Sequence, residues 1–149
     1  MKTLFQKETI NEILTRIEKL APETQHSWGK MNVNQMLAHC TVGMKTASGE
    51  LFLKSNAFLK LIGSLFKSQT TNEKPFGKGS PTHPGFIIGD TKGFEKEKQL
   101  LIDQINKFHS AGESKVTSNP HAFFGKLTPT QWGSLMYKHI DHHFRQFGV

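Results

Sequence analysis

The sequence predicts an all-α protein, a bundle of four helices joined by long crossover loops. Four stretches carry apolar residues at the three- and four-residue spacing of amphipathic helices. Two of these stretches open with paired capping signals. No two stretches form a convincing pair of alternating strands, although "GFIIG" could be a short extended segment. At 149 residues, the chain is expected to form one domain over residues 1–149 with a core of its own.

The first and third helices are predicted from apolar periodicity alone. The first spans about residues 6 to 20. Its i, i+3, i+4, i+7 stripe is made of Ile10, Ile13, Leu14 and Ile17. The third runs over about residues 91 to 109 and stops before Gly112. Its apolar face is made of Phe94, Leu101, Ile105 and Phe108. Between the second and third helices, "LFLKSNAFLKLIGSLFK" is amphipathic and is compatible with a further short helix.

The second helix lies in "MNVNQMLAHCTVGMKTA", where Asn32 is the expected N-cap and Gln35 completes a capping box. Its buried face is predicted to contain Val33, Met36, Leu37, Cys40, Met44 and Ala47. Cys40 on this face is expected to be a buried, inert thiol. His39 falls at the margin of the stripe. That position suits a ligand reaching into the bundle and a half-exposed surface histidine equally well.

The fourth helix lies in "TPTQWGSLMYKHIDHHFRQFGV", which has a start signal and a stop signal. Thr128 is the expected N-cap, Pro129 occupies the first helical position, and Gln131 completes the capping box. Gly148 follows the last periodic residue, where a left-handed cap commonly ends a helix. Both ends of the helix are therefore marked in the sequence.

Three histidines crowd the end of this helix. At about 100° per residue from Trp132, His139 and His143 fall in the middle of the apolar stripe, and His142 falls at its edge, near roughly 280°. Two buried imidazoles need polar partners, which backbone carbonyls or a metal ion can supply. An i, i+4 pair can chelate one ion, but Ile140 occupies the place where zincins carry glutamate. Asp141 points to the opposite side of the helix, so a zincin-type metalloprotease is a poor interpretation.

A metal held by this pair needs at least one more ligand. The remaining candidates are His26, His39, His83, His109, His121 and Cys40. Only His39 lies in a strongly amphipathic helix. His83 and His121 lie in two long loops, residues 68–90 and 110–127, and could approach a metal or face solvent. Loops of this length are uncommon, and the 68–90 loop is interpreted as a plain crossover or as a lid on the site.

The run "WGKMNVNQMLAHC", together with "PHAFFGKLTPTQWG" and "HIDHHFRQFG", resembles the DinB/YfiT-like superfamily of metalloenzymes. The resemblance covers nearly the whole chain and is closest to a branch with no assigned activity. It implies a four-helix bundle with long crossover loops, a homodimer, and a three-histidine divalent metal site at His39, His139 and His143. Characterised relatives include transferases that use low-molecular-weight thiols and a thiol-dependent isomerase.

Such a site would have a defined chemistry. Three neutral imidazoles leave a dication, with zinc or nickel expected, at full charge and with an open position for water or thiolate. We therefore expect a metal-dependent enzyme acting on a small molecule, with a thiol-using transferase ahead of a hydrolase. A non-catalytic bundle with a structural or vestigial metal site is the competing interpretation. Gln146, on the same helix face, could orient a ligand or water, or could cap the rim of a pocket.

Composition narrows the other function classes. The net charge is +7, but the lysines are dispersed and form no recognition helix, which argues against nucleic-acid binding. No apolar run reaches transmembrane length, and the N-terminal stretch lacks the apolar core of a signal peptide. The lysine-bearing 51–67 stretch could lie on a membrane surface, although packing against the bundle is the simpler use of its phenylalanines. A single cysteine fits a cytoplasmic protein without disulfides.

Overall fold

The structure is a computed structural model that describes residues 1–54, 63, 65, 67–70, 72, 74–79 and 82–149. Its α-helices are α1 (Lys7–Ile17), α2 (Val33–Ala47), α3 (Phe94–Ala111) and α4 (Pro129–Gln146). No strand occurs within these ranges, so the predicted all-α, four-helix architecture is confirmed. The short helix suggested for residues 51–67 falls largely outside the described residues.

Local sequence signals set the helix ends. Both predicted capping boxes are present: the side chains of Asn32 and Thr128 accept from the backbone N–H of Gln35 and Gln131, and each glutamine accepts in return. The last turn of α1 tightens into i to i−3 hydrogen bonds and the helix ends at Ile17, a few residues earlier than predicted. Pro22 follows shortly after, and a helix cannot continue through it without losing a backbone hydrogen bond.

The core lies between the helices, with α1 and α2 each packed against both α3 and α4. Fully buried side chains from all four helices include Ile13, Ile17, Met36, Leu37, Met44, Leu101, Ile105, Trp132, Ile140 and Phe144. Cys40 is also completely buried, as predicted, and burial raises the pKa of its thiol. A thiol in this environment stays protonated and inert.

Helices α2 and α4 run antiparallel and approach closely where the histidines lie. The rings of His39 and His143 lie 4.6 Å apart, and Gly43 sits against His139 one turn further along α2. A Cβ atom at Gly43 would lie only 2.8 Å from His139 Nδ1, so this approach requires glycine. Still further along the groove, Thr46 faces the same cleft as Trp132.

The opposite face of α4 forms hydrogen bonds and an ion pair with α1 and with the crossover loop. Asp141 accepts from Arg16 Nη1 at 2.8 Å and from Arg145 Nε at 2.8 Å. Lys138 donates to the backbone and side-chain oxygens of Asn72, at 3.0 Å each. These contacts fix the rotation of α4, which turns His139 and His143 toward α2. No helix in the described part of the chain has the length and apolar character needed to cross a membrane.

Candidate metal centre

His39 from α2 meets His139 and His143 from α4 inside the bundle. One ring nitrogen from each residue lies within 4.8 Å of the other two. The Nε2 atoms of His39 and His139 are 2.8 Å apart. His39 and His143 are 4% and 8% exposed, and His139 is partly exposed. The three residues implied by the family resemblance are therefore neighbours in space, with His139 on the more open side.

The tautomer of His39 follows from its backbone partner. His39 Nδ1 lies 2.9 Å from the carbonyl oxygen of Phe86. Because a carbonyl can only accept, Nδ1 must carry the hydrogen and Nε2 must carry the lone pair. The Phe86 ring also covers the imidazole, with the ring centroids 5.4 Å apart. This cover explains why His39 is buried although helical periodicity placed it at the margin of its stripe.

His143 is oriented in the same way by Gln146. His143 Nδ1 lies 2.9 Å from Gln146 Oε1, and Gln146 Nε2 donates to the Trp28 carbonyl oxygen at 2.6 Å. The second bond fixes which end of the amide faces His143, so His143 Nδ1 is the donor and Nε2 is left with its lone pair. A Cβ atom at Gly29 would lie 2.3 Å from Gln146 Nε2, so only glycine leaves room for this arrangement.

This contact settles the position of Gln146. The sequence left open whether its side chain orients a ligand or caps a pocket rim. The side chain is instead buried and bonded at both ends, to His143 and to Trp28. We therefore expect its role to be the orientation of the His143 ring.

Burial keeps the cluster uncharged. Desolvation is the main cause that lowers the pKa of each ring. It lowers the pKa of His39 below the ordinary value, that of His139 well below it, and that of His143 to about 3. Repulsion between neighbouring histidines lowers the pKa values of His139 and His143 further. All three imidazoles are therefore neutral near pH 7, which is the form that binds metal ions.

The donor set fits a divalent ion. Two nitrogens on a tetrahedral ion with Zn–N bonds near 2.1 Å are about 3.4 Å apart. The 2.8 Å separation between His39 Nε2 and His139 Nε2 would thus need to open by roughly half an ångström. Side-chain rotation can supply this opening on the exposed side of His139. Imidazole suits zinc, nickel, copper and iron, so the ligands alone do not select the metal.

Two other candidate histidines lie outside the cluster. His142 is half-buried, with its ring 5.0 Å from His143 and 6.0 Å from Trp28. Its position at the edge of the α4 stripe agrees with the helical phasing. His83 donates through Nε2 to the Lys54 carbonyl oxygen at 3.0 Å, and its Nδ1 accepts from the Gly85 N–H. It holds the turn Pro84–Phe86 rather than facing the cluster.

His121 lies beside the cluster without joining it. Its Nδ1 accepts from the backbone N–H groups of Phe123 and Phe124, at 3.1 and 3.2 Å. Its ring stacks on Phe124 and lies 5.3 Å from Trp132. Burial lowers the pKa of His121 to about 4, so it is neutral near pH 7.

The groups that sequence reasoning missed are those that support the histidines. The Phe86 carbonyl is a backbone group, which every residue has, so the sequence could not predict this contact. Phe86, in the described part of the 68–90 loop, packs directly on His39, so this turn contributes to the candidate site. Gly43 is the one signal in the sequence, because a glycine inside an amphipathic helix can indicate that another helix packs closely against it.

Neither the curated proteins nor the solved structures contain a match to this chain. One family model, described as "Protein of unknown function (DUF1569)", matches residues 2–148. Because the match spans nearly the whole sequence, the chain belongs to the DUF1569 family.

Proposed function

We propose that this protein binds one divalent metal ion through Nε2 of His39, His139 and His143, and that it is a metal-dependent enzyme. The observation that carries the proposal is the pair of outer hydrogen bonds. The Phe86 carbonyl and Gln146 Oε1 each hold an Nδ1–H and leave a lone pair on the opposite nitrogen. Metal-binding histidines are commonly oriented in this way. Without an ion, His39 Nε2 uses this lone pair to accept from His139 Nε2–H at 2.8 Å, a hydrogen bond that a metal ion would replace.

The surroundings of the cluster suit an exchangeable ion better than a closed structural one. Structural zinc sites usually have four protein ligands, often thiolates. Within the described residues, only three histidines converge, and Cys40 is buried in the core beside Met36. A bound ion would supply Lewis-acid activation of a thiol or of water at its remaining position. The Phe86 ring shields one side of the cluster from water, and we expect ligands to enter on the side of His139, the partly exposed member of the cluster.

Within this class, we favour transfer of a low-molecular-weight thiol to an electrophilic small molecule over hydrolysis. Hydrolysis at a metal centre commonly uses a carboxylate as general base. No carboxylate joins the cluster in the described part of the chain, and Asp141 is paired with Arg16 and Arg145. A thiol that binds the ion as thiolate releases its proton to solvent and is then a nucleophile without such a base. A metal-bound hydroxide is one as well, so this contrast disfavours only hydrolysis that depends on a carboxylate base. The resemblance to the DinB/YfiT-like superfamily supports the same choice.

Metal binding is tested first. Untagged protein stripped with a chelator is titrated with Zn²⁺ or Ni²⁺ by isothermal calorimetry. We expect one equivalent to bind, and His39→Ala, His139→Ala and His143→Ala each to weaken binding by at least about 100-fold, since each removes a ligand. His109→Ala is the matched control, because His109 is partly buried and bonded to the Leu4 carbonyl away from the cluster. Equal affinity in the ligand variants and the control would refute the metal site.

Catalysis is then separated from a structural role. Circular dichroism and thermal melts are recorded with and without chelator, alongside a screen of low-molecular-weight thiols against electrophilic acceptors. Because the bundle has an apolar core of its own, we expect the metal-free protein to stay helical and to lose only thiol-transfer activity. Loss of the fold on metal removal would favour the structural interpretation instead.

A further inference from the structure

A cleft lies beside the histidine cluster, in the groove between α2 and α4. It measures about 260 Å³ including its open mouth. Thr46 and Trp132 contribute from the two helices, and His121 contributes from the loop before α4. Phe86 forms a wall shared by the two places, because it lines the cleft and its carbonyl holds His39. The cleft therefore adjoins the candidate metal centre through Phe86, and none of the three histidines lines it.

The cleft and the histidine cluster are separated by about the length of a small molecule. Trp132 and His139 are seven residues apart on α4 and share one face of the helix. At a rise of 1.5 Å per residue, they are separated by about 10 Å along the helix axis.

Trp132, which lines the cleft, carries a buried indole N–H that no group among the described residues satisfies. Trp132 is 1% exposed, and its Nε1 has no acceptor among the described residues. Burying an N–H without an acceptor is unfavourable, and native proteins rarely leave one in this state without a reason. His121 offers a second donor, because its Nδ1 accepts backbone hydrogen bonds and its Nε2 must then carry the hydrogen. The two rings are 5.3 Å apart.

The remaining walls indicate what such donors would bind. Leu51, Leu53 and Ala122 are apolar and Asn119 is polar but uncharged, and the described residues that line the cleft include no charged side chain. An anionic group would lose its hydration there without gaining a cation, so an uncharged acceptor is favoured over a carboxylate. The interior has room for about one water molecule, so only the tip of a ligand can enter it. Phe52, 49% exposed, offers an apolar contact at the mouth.

We infer that this cleft binds the carbonyl oxygen of a small, uncharged, largely apolar molecule, with Trp132 Nε1–H and His121 Nε2–H as donors. The body of the molecule lies in the mouth against Phe52 and Phe86. As a substrate pocket, the cleft rests on the proposed metal-dependent function. Binding of the carbonyl itself does not, because neither donor is a metal ligand.

The test uses cyclohexanone as the probe and the metal-free protein as the sample. The chain has two tryptophans, so ¹⁵N-labelled protein gives two indole N–H resonances, and Trp28→Phe assigns them. We expect a saturable shift of the Trp132 indole resonance and little change at Trp28. Trp132→Phe and His121→Phe, followed through the backbone amide of Ala122, should each weaken binding by about 3- to 10-fold, the effect of one net hydrogen bond. Trp28→Phe should keep the wild-type affinity.

Two results would overturn the inference. One is a Trp132 indole resonance that stays in place at the highest ketone concentration, or shows persistent contact with water that the ketone does not displace. The other is an unchanged affinity in both the Trp132→Phe and His121→Phe proteins, each checked for folding by its amide spectrum. Because metal is absent from these samples, a failure of ketone binding does not change the outcome of the metal titration. A failure of metal binding likewise does not change the outcome of the ketone titration.

Discussion

Gln146→Leu removes the contact that orients His143 while leaving all three candidate ligands in place. The wild-type amide accepts from His143 Nδ1–H and donates to the Trp28 carbonyl oxygen. Leucine has nearly the same volume but can do neither. His143 is then free to place its hydrogen on Nε2, the nitrogen that must face the ion.

The magnitude follows from these two lost bonds. Loss of an outer partner of a metal-binding histidine typically lowers metal affinity by about 10- to 100-fold. A buried donor or acceptor left without a partner costs about 1–3 kcal/mol. Trp28 is only partly buried, so water can replace part of its loss, and we expect roughly 2–3 kcal/mol of destabilisation in the metal-free protein.

The assay is a Zn²⁺ competition titration combined with a urea melt of the metal-free protein. Gln99→Leu is the matched control, because Gln99 lies exposed on α3 and its side chain donates to Asp103 at 2.8 Å. Gln146→Glu separates the two effects. Its carboxylate can accept from His143 Nδ1–H and should keep the metal affinity, but it cannot donate to Trp28 and should keep the loss of stability. Zinc affinity within twofold of wild type in Gln146→Leu would refute the proposed role of the outer hydrogen bond.

Three further predictions concern the same cluster. Gly43→Ala places a Cβ 2.8 Å from His139 Nδ1, so the ring must move and zinc affinity should fall by about 10-fold or more; Gly89→Ala, whose Cβ would meet nothing within 4 Å, is the control in the same titration. His142→Ala should leave zinc affinity within about threefold of wild type, and a larger loss than in His143→Ala would contradict the ligand assignment. Between pH 7.5 and 6.0, three imidazoles with the ordinary pKa of 6.5 would lose about 50-fold in affinity to proton competition. Since burial lowers the pKa values of His39, His139 and His143, fewer protons compete with the ion over this range, and calorimetry should show a loss of affinity well below about 50-fold.

The sequence alone determined the features that depend on neighbours along the chain. Capping boxes at Asn32 and Thr128 and the apolar stripes predicted the starts of α2 and α4 and the all-α class, because helix ends and faces are set within one or two turns. The same periodicity placed His139 and His143 on one buried face and His142 at its edge. For His39, periodicity left two interpretations open, and only the family resemblance favoured a ligand.

Tertiary structure decided everything that joins distant parts of the chain. His39 is buried because Phe86, 47 residues away, covers its ring and accepts a hydrogen bond from its Nδ1–H through the backbone carbonyl. Gln146 holds His143 because Trp28, 118 residues away, fixes the amide. A backbone carbonyl carries no residue-specific signal, and loop closure over such distances depends on the packing of the whole bundle. The identities of the histidines are therefore written in the sequence, whereas the nitrogen that each one presents is decided by the fold.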